Sequence, residues 1–150
     1  MSTSTTKSPE DIIFEQCLAG RLRILNRVVT NLYDEALRPL GVKTSQLNIL
    51  VAAGKLGLAR PADICERLQL DTSTLSRNVE RMKTKGWFEV VGDVDGRAQP
   101  FRLTTKGHKL VEKAKPRWDE AQKKVRKLLG NDIVQTIVDA VGGLQAADVR

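Results

Sequence analysis

Residues 61–107 read PADICERLQLDTSTLSRNVERMKTKGWFEVVGDVDGRAQPFRLTTKG, and this stretch decides the fold. Pro61 opens a short helix that carries Ile64, Cys65 and Leu68. A brief break at Gln69-Leu70 leads to Asp71, whose carboxylate suits a helix N-cap. The next helix runs from Thr72 to about Lys85, and Gly86 closes it, because glycine enters the left-handed conformation at a helix end without penalty. The period then changes. Trp87 to Val91 is aromatic and β-branched and predicts a strand. Gly92-Asp93-Val94-Asp95-Gly96 predicts a turn, and Phe101 to Leu103 the returning strand, with Pro100 placing its start late or at a sheet edge. Two short helices joined tightly and followed at once by a hairpin make a helix-turn-helix with a wing.

The helix from Thr72 to Lys85 shows why this motif points to nucleic acid. At roughly 100° per residue, Leu75, Val79 and Met82 share one face, which must face the core. The opposite face carries Ser73, Arg77, Glu80 and Thr84, flanked by Thr74, Ser76 and Arg81. Hydroxyls bond phosphates or base edges, and Arg bonds guanine in bidentate fashion, so this face suits a major groove. Thr72, Ser73 and Thr74 lie at the helix N-terminus, where free N–H groups favour phosphate. On the hairpin, Arg97 is placed to enter a minor groove, where the potential is most negative, and Asp95 to hold its guanidinium in one pose.

Outward from this stretch the chain is helical. Pro9-Glu10-Asp11 marks a helix start, with proline in the first turn and acids at the positive end of the dipole. Ile13, Leu18, Leu22, Leu25, Val28, Val29 and Leu32 recur at three- and four-residue spacing, which predicts one long amphipathic helix as far as Pro39. Thr44 or Ser45 caps the next helix, which carries Leu47, Ile49, Leu50 and Val51 and ends between Gly54 and Gly57. Beyond the hairpin, Thr104 caps a helix bearing Leu110, Ala114, Trp118, Val125 and Leu128, in which Pro116 predicts a kink. Gly130-Asn131 ends it, and a last helix carries Ile133, Ile137, Val138 and Val141. The expected fold is mainly α with one β-hairpin (α+β). A winged helix-turn-helix at 41–105 is flanked by helical dimerisation regions at 11–40 and 106–150, and 1–10 reads as a flexible tail. A winged domain of that size has its own small core, so the apolar faces of the flanking helices are surplus and must bury against a partner, most simply a second copy.

Composition narrows the function classes. The chain has 150 residues, 41% of them hydrophobic but only 4% aromatic, so its core rests on Leu, Val, Ile and Ala. A formal net charge of +7 favours polyanionic partners such as double-stranded DNA. The Ser/Thr-rich start has no apolar signal region, and no apolar run reaches the roughly 20 residues of a membrane span. These features predict a cytoplasmic protein without membrane contact. Two cysteines, Cys17 and Cys65, cannot make a disulfide framework and lack zinc-ligand spacing. No phosphate loop, metal cluster or nucleophile with a matching base is evident, so neither an enzyme nor a cofactor or metal is expected.

The pieces Asp71-Thr-Ser-Thr-Leu-Ser-Arg77, Val79-Glu-Arg-Met82, Lys85-Gly86-Trp87, Asp93-Val-Asp95-Gly-Arg97 and Leu103-Thr104-Thr-Lys-Gly107 follow one another in an order that resembles the MarR family of regulators. The resemblance extends over almost the whole chain from about Asp11. It implies a homodimer whose first and last helices interleave, with the two winged domains at the lower corners of a triangle. It further implies that the helix from Thr72 enters the major groove of a pseudo-palindromic operator while Arg97 reaches the minor groove. The DNA-contacting set is then Thr72, Ser73, Thr74, Ser76, Arg77, Arg81, Asp95 and Arg97. Val94 and Gly96 stand where the family often carries a second wing Arg, which implies a weaker grip by this wing.

The family default is a repressor relieved by a small aromatic or phenolic effector, for which Tyr33 and Trp118 are the candidates in this chain; packing is the competing role for both aromatics. One branch of the family senses oxidants through a Cys in the first helix, and Cys17 lies there. It precedes Leu18-Ala19-Gly20-Arg21 rather than that branch's Phe/Leu-rich, tyrosine-containing stretch, and a Cys is often simply a small apolar residue. An architectural DNA-binding protein without gene-specific action is a further alternative, distinguished by a steep salt dependence with little sequence preference. A winged helix used only for protein contacts is another. The lone His108 reads as a surface residue, and the basic run from Lys106 to Lys127 as a solvated helix face.

Overall fold

The computed structural model describes residues 7–92 and 99–146. Among these described residues, seven α-helices and one hairpin follow in the order α1 (Pro9–Gln16), α2 (Leu18–Leu37), α3 (Thr44–Leu56), α4 (Pro61–Leu68), α5 (Thr72–Thr84), β1 (Phe88–Val90), β2 (Phe101–Leu103), α6 (Thr105–Leu129) and α7 (Asn131–Ala146), with a 3₁₀ turn at Arg38–Leu40. The expected mixture of helices with one hairpin is what the chain forms.

Local chemistry explains most boundaries. Ser8 and Asp11 form a reciprocal capping box that starts α1. Gln69, with φ +51, ends α4, and Gly86, with φ +77, turns the chain out of α5. The Thr104 hydroxyl accepts the Gly107 N–H at 3.1 Å and opens α6.

Three expectations need correction. The first long helix is two helices, because Cys17 leaves the helical region with ψ 107. No residue of α1 is buried, so no packing holds it in line with α2. The cap of α3 is Lys43, not Thr44 or Ser45: the Lys43 N–H donates to Gln46 Oε1 at 3.1 Å, and the Thr44 N–H and hydroxyl donate to Asp34 Oδ1, each at 2.7 Å. α3 ends at Leu56, between Gly54 and Gly57 as expected, and Leu103 packs over Gly54. The first strand is shorter than Trp87 to Val91, since Trp87 is drawn into the turn by its N–H bond to Met82 O. α6 spans Thr105–Leu129 with Pro116 inside it.

The hairpin pairs Phe88 with Leu103, Glu89 with Arg102 and Val90 with Phe101. Ala59 exchanges both backbone hydrogen bonds with Phe101 at 2.9 Å and so adds a one-residue third strand just before α4. The wing is thereby anchored to the helix-turn-helix. Phe88 and Phe101 pack with ring centroids 4.8 Å apart. Gly107 lets α6 abut the wing root, because a Cβ there would lie 2.3 Å from Trp87 O.

The core sits inside the winged unit. Leu37, Val42, Leu50, Ile64, Leu75, Met82, Phe88 and Phe101 form one buried cluster that Leu110 and Ala114 of α6 close from above. The far half of α6 packs with α2 and α7 over a thin strip, in which Ala121, Val125 and Val134 are buried. Phe14, Leu18, Leu22, Ile24, Ile133, Val138, Val141 and Leu144, on α1, α2 and α7, stay exposed on the single chain.

Candidate nucleic-acid interface

Helix α5 is built to present one face. Leu75 and Met82 are buried and Val79 packs half-buried beside them, as their spacing predicts. Thr72, Ser73, Ser76, Arg77 and Arg81 are exposed, and Thr74 is half-buried. Among the described residues neither Arg77 nor Arg81 has an ion-pair partner, whereas Glu80 pairs with Lys83 at 3.1 Å. The two guanidiniums therefore keep their donors for a ligand.

The N-terminus of α5 is more occupied than the residue pattern suggests. Asp71 Oδ1 accepts the Ser73 hydroxyl at 2.6 Å and the Thr74 N–H at 2.7 Å, and Oδ2 accepts the Thr74 hydroxyl at 2.7 Å. These bonds, the Ser73 one foremost, hold the Asp71 carboxyl far below the usual carboxylate range. A carboxylate at this end disfavours a phosphate there. Each hydroxyl has one proton, and both protons are committed to Asp71. Ser73 and Thr74 thus face outward as acceptors, suited to the amino group of a base rather than to a phosphate oxygen.

The wing carries an ion pair on its exposed side, Arg102 Nε to Glu89 Oε1 at 2.5 Å. Asp95 and Arg97 lie outside the described residues. Lys85, which the residue pattern did not single out, donates from Nζ to Gly41 O at 2.9 Å and stands 4.6 Å from the centre of the Trp87 ring. Arg60, exposed at the N-cap of α4, was also missed. Its one sequence signal is its place directly before Pro61, since the first helix of a helix-turn-helix crosses the DNA backbone.

Between α2, α6 and α7 lies a groove of about 420 Å³, lined by apolar residues including Leu22, Leu25, Val29 and Val138, with Asn26, Tyr33 and Gln122 as polar groups. Tyr33 donates its hydroxyl to Gln122 Oε1, and burial pushes its pKa up. Trp118 lies 6.4 Å from Tyr33, centroid to centroid, so the structure brings both candidate effector residues together. Only Tyr33 lines the groove; Trp118 packs against the core, with Lys115 Nζ 5.3 Å from its ring. Cys17 is exposed at the junction of α1 and α2. Among the described residues no cluster of His, Cys, Asp and Glu could hold a metal, and no helix is long and apolar enough to cross a membrane.

The profile of the MarR family matches residues 40–98, from the end of the 3₁₀ turn into the wing. The multiple antibiotic resistance protein MarR of Escherichia coli is 30% identical over 108 residues, which cover 71% of this chain and 75% of that protein. The chain belongs to the MarR family. It is a transcriptional regulator of that family, with the family's winged helix. The structure of a mutant E. coli MarR complexed with operator DNA superposes with a TM-score of 0.78 at 22% identity, covering 89% of this chain and 96% of that one. That of the Mycobacterium tuberculosis regulator MosR in complex with DNA superposes with a TM-score of 0.74 at 27% identity, covering 89% and 100%.

Proposed function

We propose that this MarR-family protein is a sequence-specific repressor that binds a pseudo-palindromic duplex as a homodimer. The observation that carries this reading is the face of α5: Arg77 and Arg81 stand exposed without ion-pair partners among the described residues, backed by buried Leu75 and Met82. Thr72, Ser73, Thr74 and Ser76 complete the contact set in the major groove, and Asp95 and Arg97 act from the wing in the minor groove. Arg60 adds a phosphate contact from the start of α4. The DNA complexes of E. coli MarR and M. tuberculosis MosR support the same use of the fold here.

The chain divides in function as residue pattern suggests, with 41–105 reading DNA and 11–40 and 106–150 joining the two copies. A small aromatic or phenolic effector at Tyr33, on the seam between α2 and α6, would act by shifting the spacing of the two reading heads. Selection from a random duplex library followed by footprinting tests the reading. The expected result is one protected palindrome with half-sites about one helical turn apart. Equal affinity for the selected and a random duplex at every salt concentration would leave an architectural protein instead.

A further inference from the structure

We propose that Lys85 is a positioning residue that ties the recognition helix to the α2–α3 connector and so sets the angle at which α5 meets DNA, rather than a phosphate contact. Lys85 is the C-cap residue of α5. Its ammonium reaches 44 residues back along the chain, donating to Gly41 O at 2.9 Å while lying 4.6 Å over the Trp87 ring. Gly41 ends the 3₁₀ turn with φ +65, a conformation that turns its carbonyl out of any helix and leaves it free to accept. Trp87 itself is 6% exposed and begins the wing, where its carbonyl accepts the Thr104 N–H at 3.0 Å.

One cation therefore joins three elements: the connector, the end of the reading helix and the root of the wing. The connector is held on its other side by Asp34, whose Oδ1 accepts both the N–H and the hydroxyl of Thr44 at 2.7 Å. Two polar ties thus flank residues 41–44: Asp34 of α2 holds Thr44, and Lys85 of α5 holds Gly41. A hydrogen bond to a carbonyl and a cation over an indole are both geometry-dependent, so the two ties together hold α5 at a fixed angle to α2.

This inference rests on α5 being the DNA-reading helix, and its test separates the two. Lys85→Met and Lys85→Arg are compared with the wild type, using a duplex that the wild-type protein selects from a random library. Lys85→Met should bind that duplex about tenfold more weakly, the loss of one hydrogen bond and one cation–π contact, with an unchanged slope of log affinity against log salt. Hydrogen exchange at residues 38–43 should speed up in Lys85→Met without DNA present. Lys85→Arg, which keeps charge, donors and a planar group for Trp87, should restore both. A salt slope reduced by about 0.9, with exchange at 38–43 unchanged, would make Lys85 a phosphate contact and overturn the proposal. So would a Lys85→Met variant indistinguishable from wild type in both readouts. If the wild type itself selects no duplex, the DNA-reading proposal falls and takes the role of Lys85 with it, while exchange still reports whether the tie to Gly41 exists.

Discussion

At the scale of single residues, Asp71 and Arg77 divide the work of α5. Asp71 bonds back to the first turn and fixes it, while Arg77 is left without an ion-pair partner among the described residues. The bonds from Ser73 and Thr74 favour the charged form of Asp71 in the folded chain, so its folded pKa lies below its unfolded one. Its stabilisation is therefore complete above the unfolded value of about 3.8 and is lost as the pH falls below that. Asp71→Ala should melt below the wild type at pH 7, and the gap should narrow as the pH is lowered from about 3.8; a gap constant down to the acid limit would deny the carboxylate this role. Arg77→Ala should reduce discrimination between the selected duplex and random DNA by about 1–3 kcal/mol, the worth of one bidentate base contact. Equal weakening on both duplexes would move Arg77 to a phosphate.

At the scale of elements, the joint between wing and α6 decides how firmly the hairpin is held. Gly107 sits one turn into α6 with Trp87 O where a Cβ would be. Ordinary helix propensity favours Ala over Gly by about 1 kcal/mol. Here the sign reverses, because the obstacle is backbone rather than a side-chain tip. Gly107→Ala should destabilise the fold by about 1–3 kcal/mol in chemical denaturation, and a stabilised variant would refute the close approach. The same element shows why residue pattern located α6 but not its neighbour: the Thr104 cap is read within four residues, whereas the approach to Trp87 spans twenty. Likewise, the apolar spacing that runs from Ile13 to Leu32 carries no sign of the break at Cys17, because periodicity reports which side is apolar and not whether anything packs there.

At the scale of the whole molecule, the single chain leaves many large apolar residues of its flanking helices outside. Phe14 is 86% exposed, and Leu22, Val138 and Leu144 each stay more than half exposed. The winged unit closes its core alone; the flanking helices do not. In the proposed dimer these faces are buried, so Val138→Glu would place an unpaired charge in the interface. It should yield monomers in analytical ultracentrifugation and weaken binding to the full palindrome more than to a half-site. In a protein that works as a monomer the same change is neutral, since Val138 is already 54% exposed.

The sequence by itself determined the kinds of element, their order, the helix-turn-helix with its wing, and the outward face of α5. These rest on caps, glycine breaks and apolar periods, which act between residues at most a few positions apart. Only the tertiary structure decided that Asp71 accepts hydrogen bonds from the Ser73 and Thr74 hydroxyls, that Tyr33 meets Gln122, and that Lys85 reaches Gly41 across Trp87. The last two pairs are 89 and 44 residues apart, and no local rule brings them together. Their partners follow from how whole helices pack, a matter of side-chain volumes and faces summed over the core. The cap hydroxyls lie next to Asp71 in sequence, yet which oxygen each one meets depends on rotamers that residue pattern does not specify.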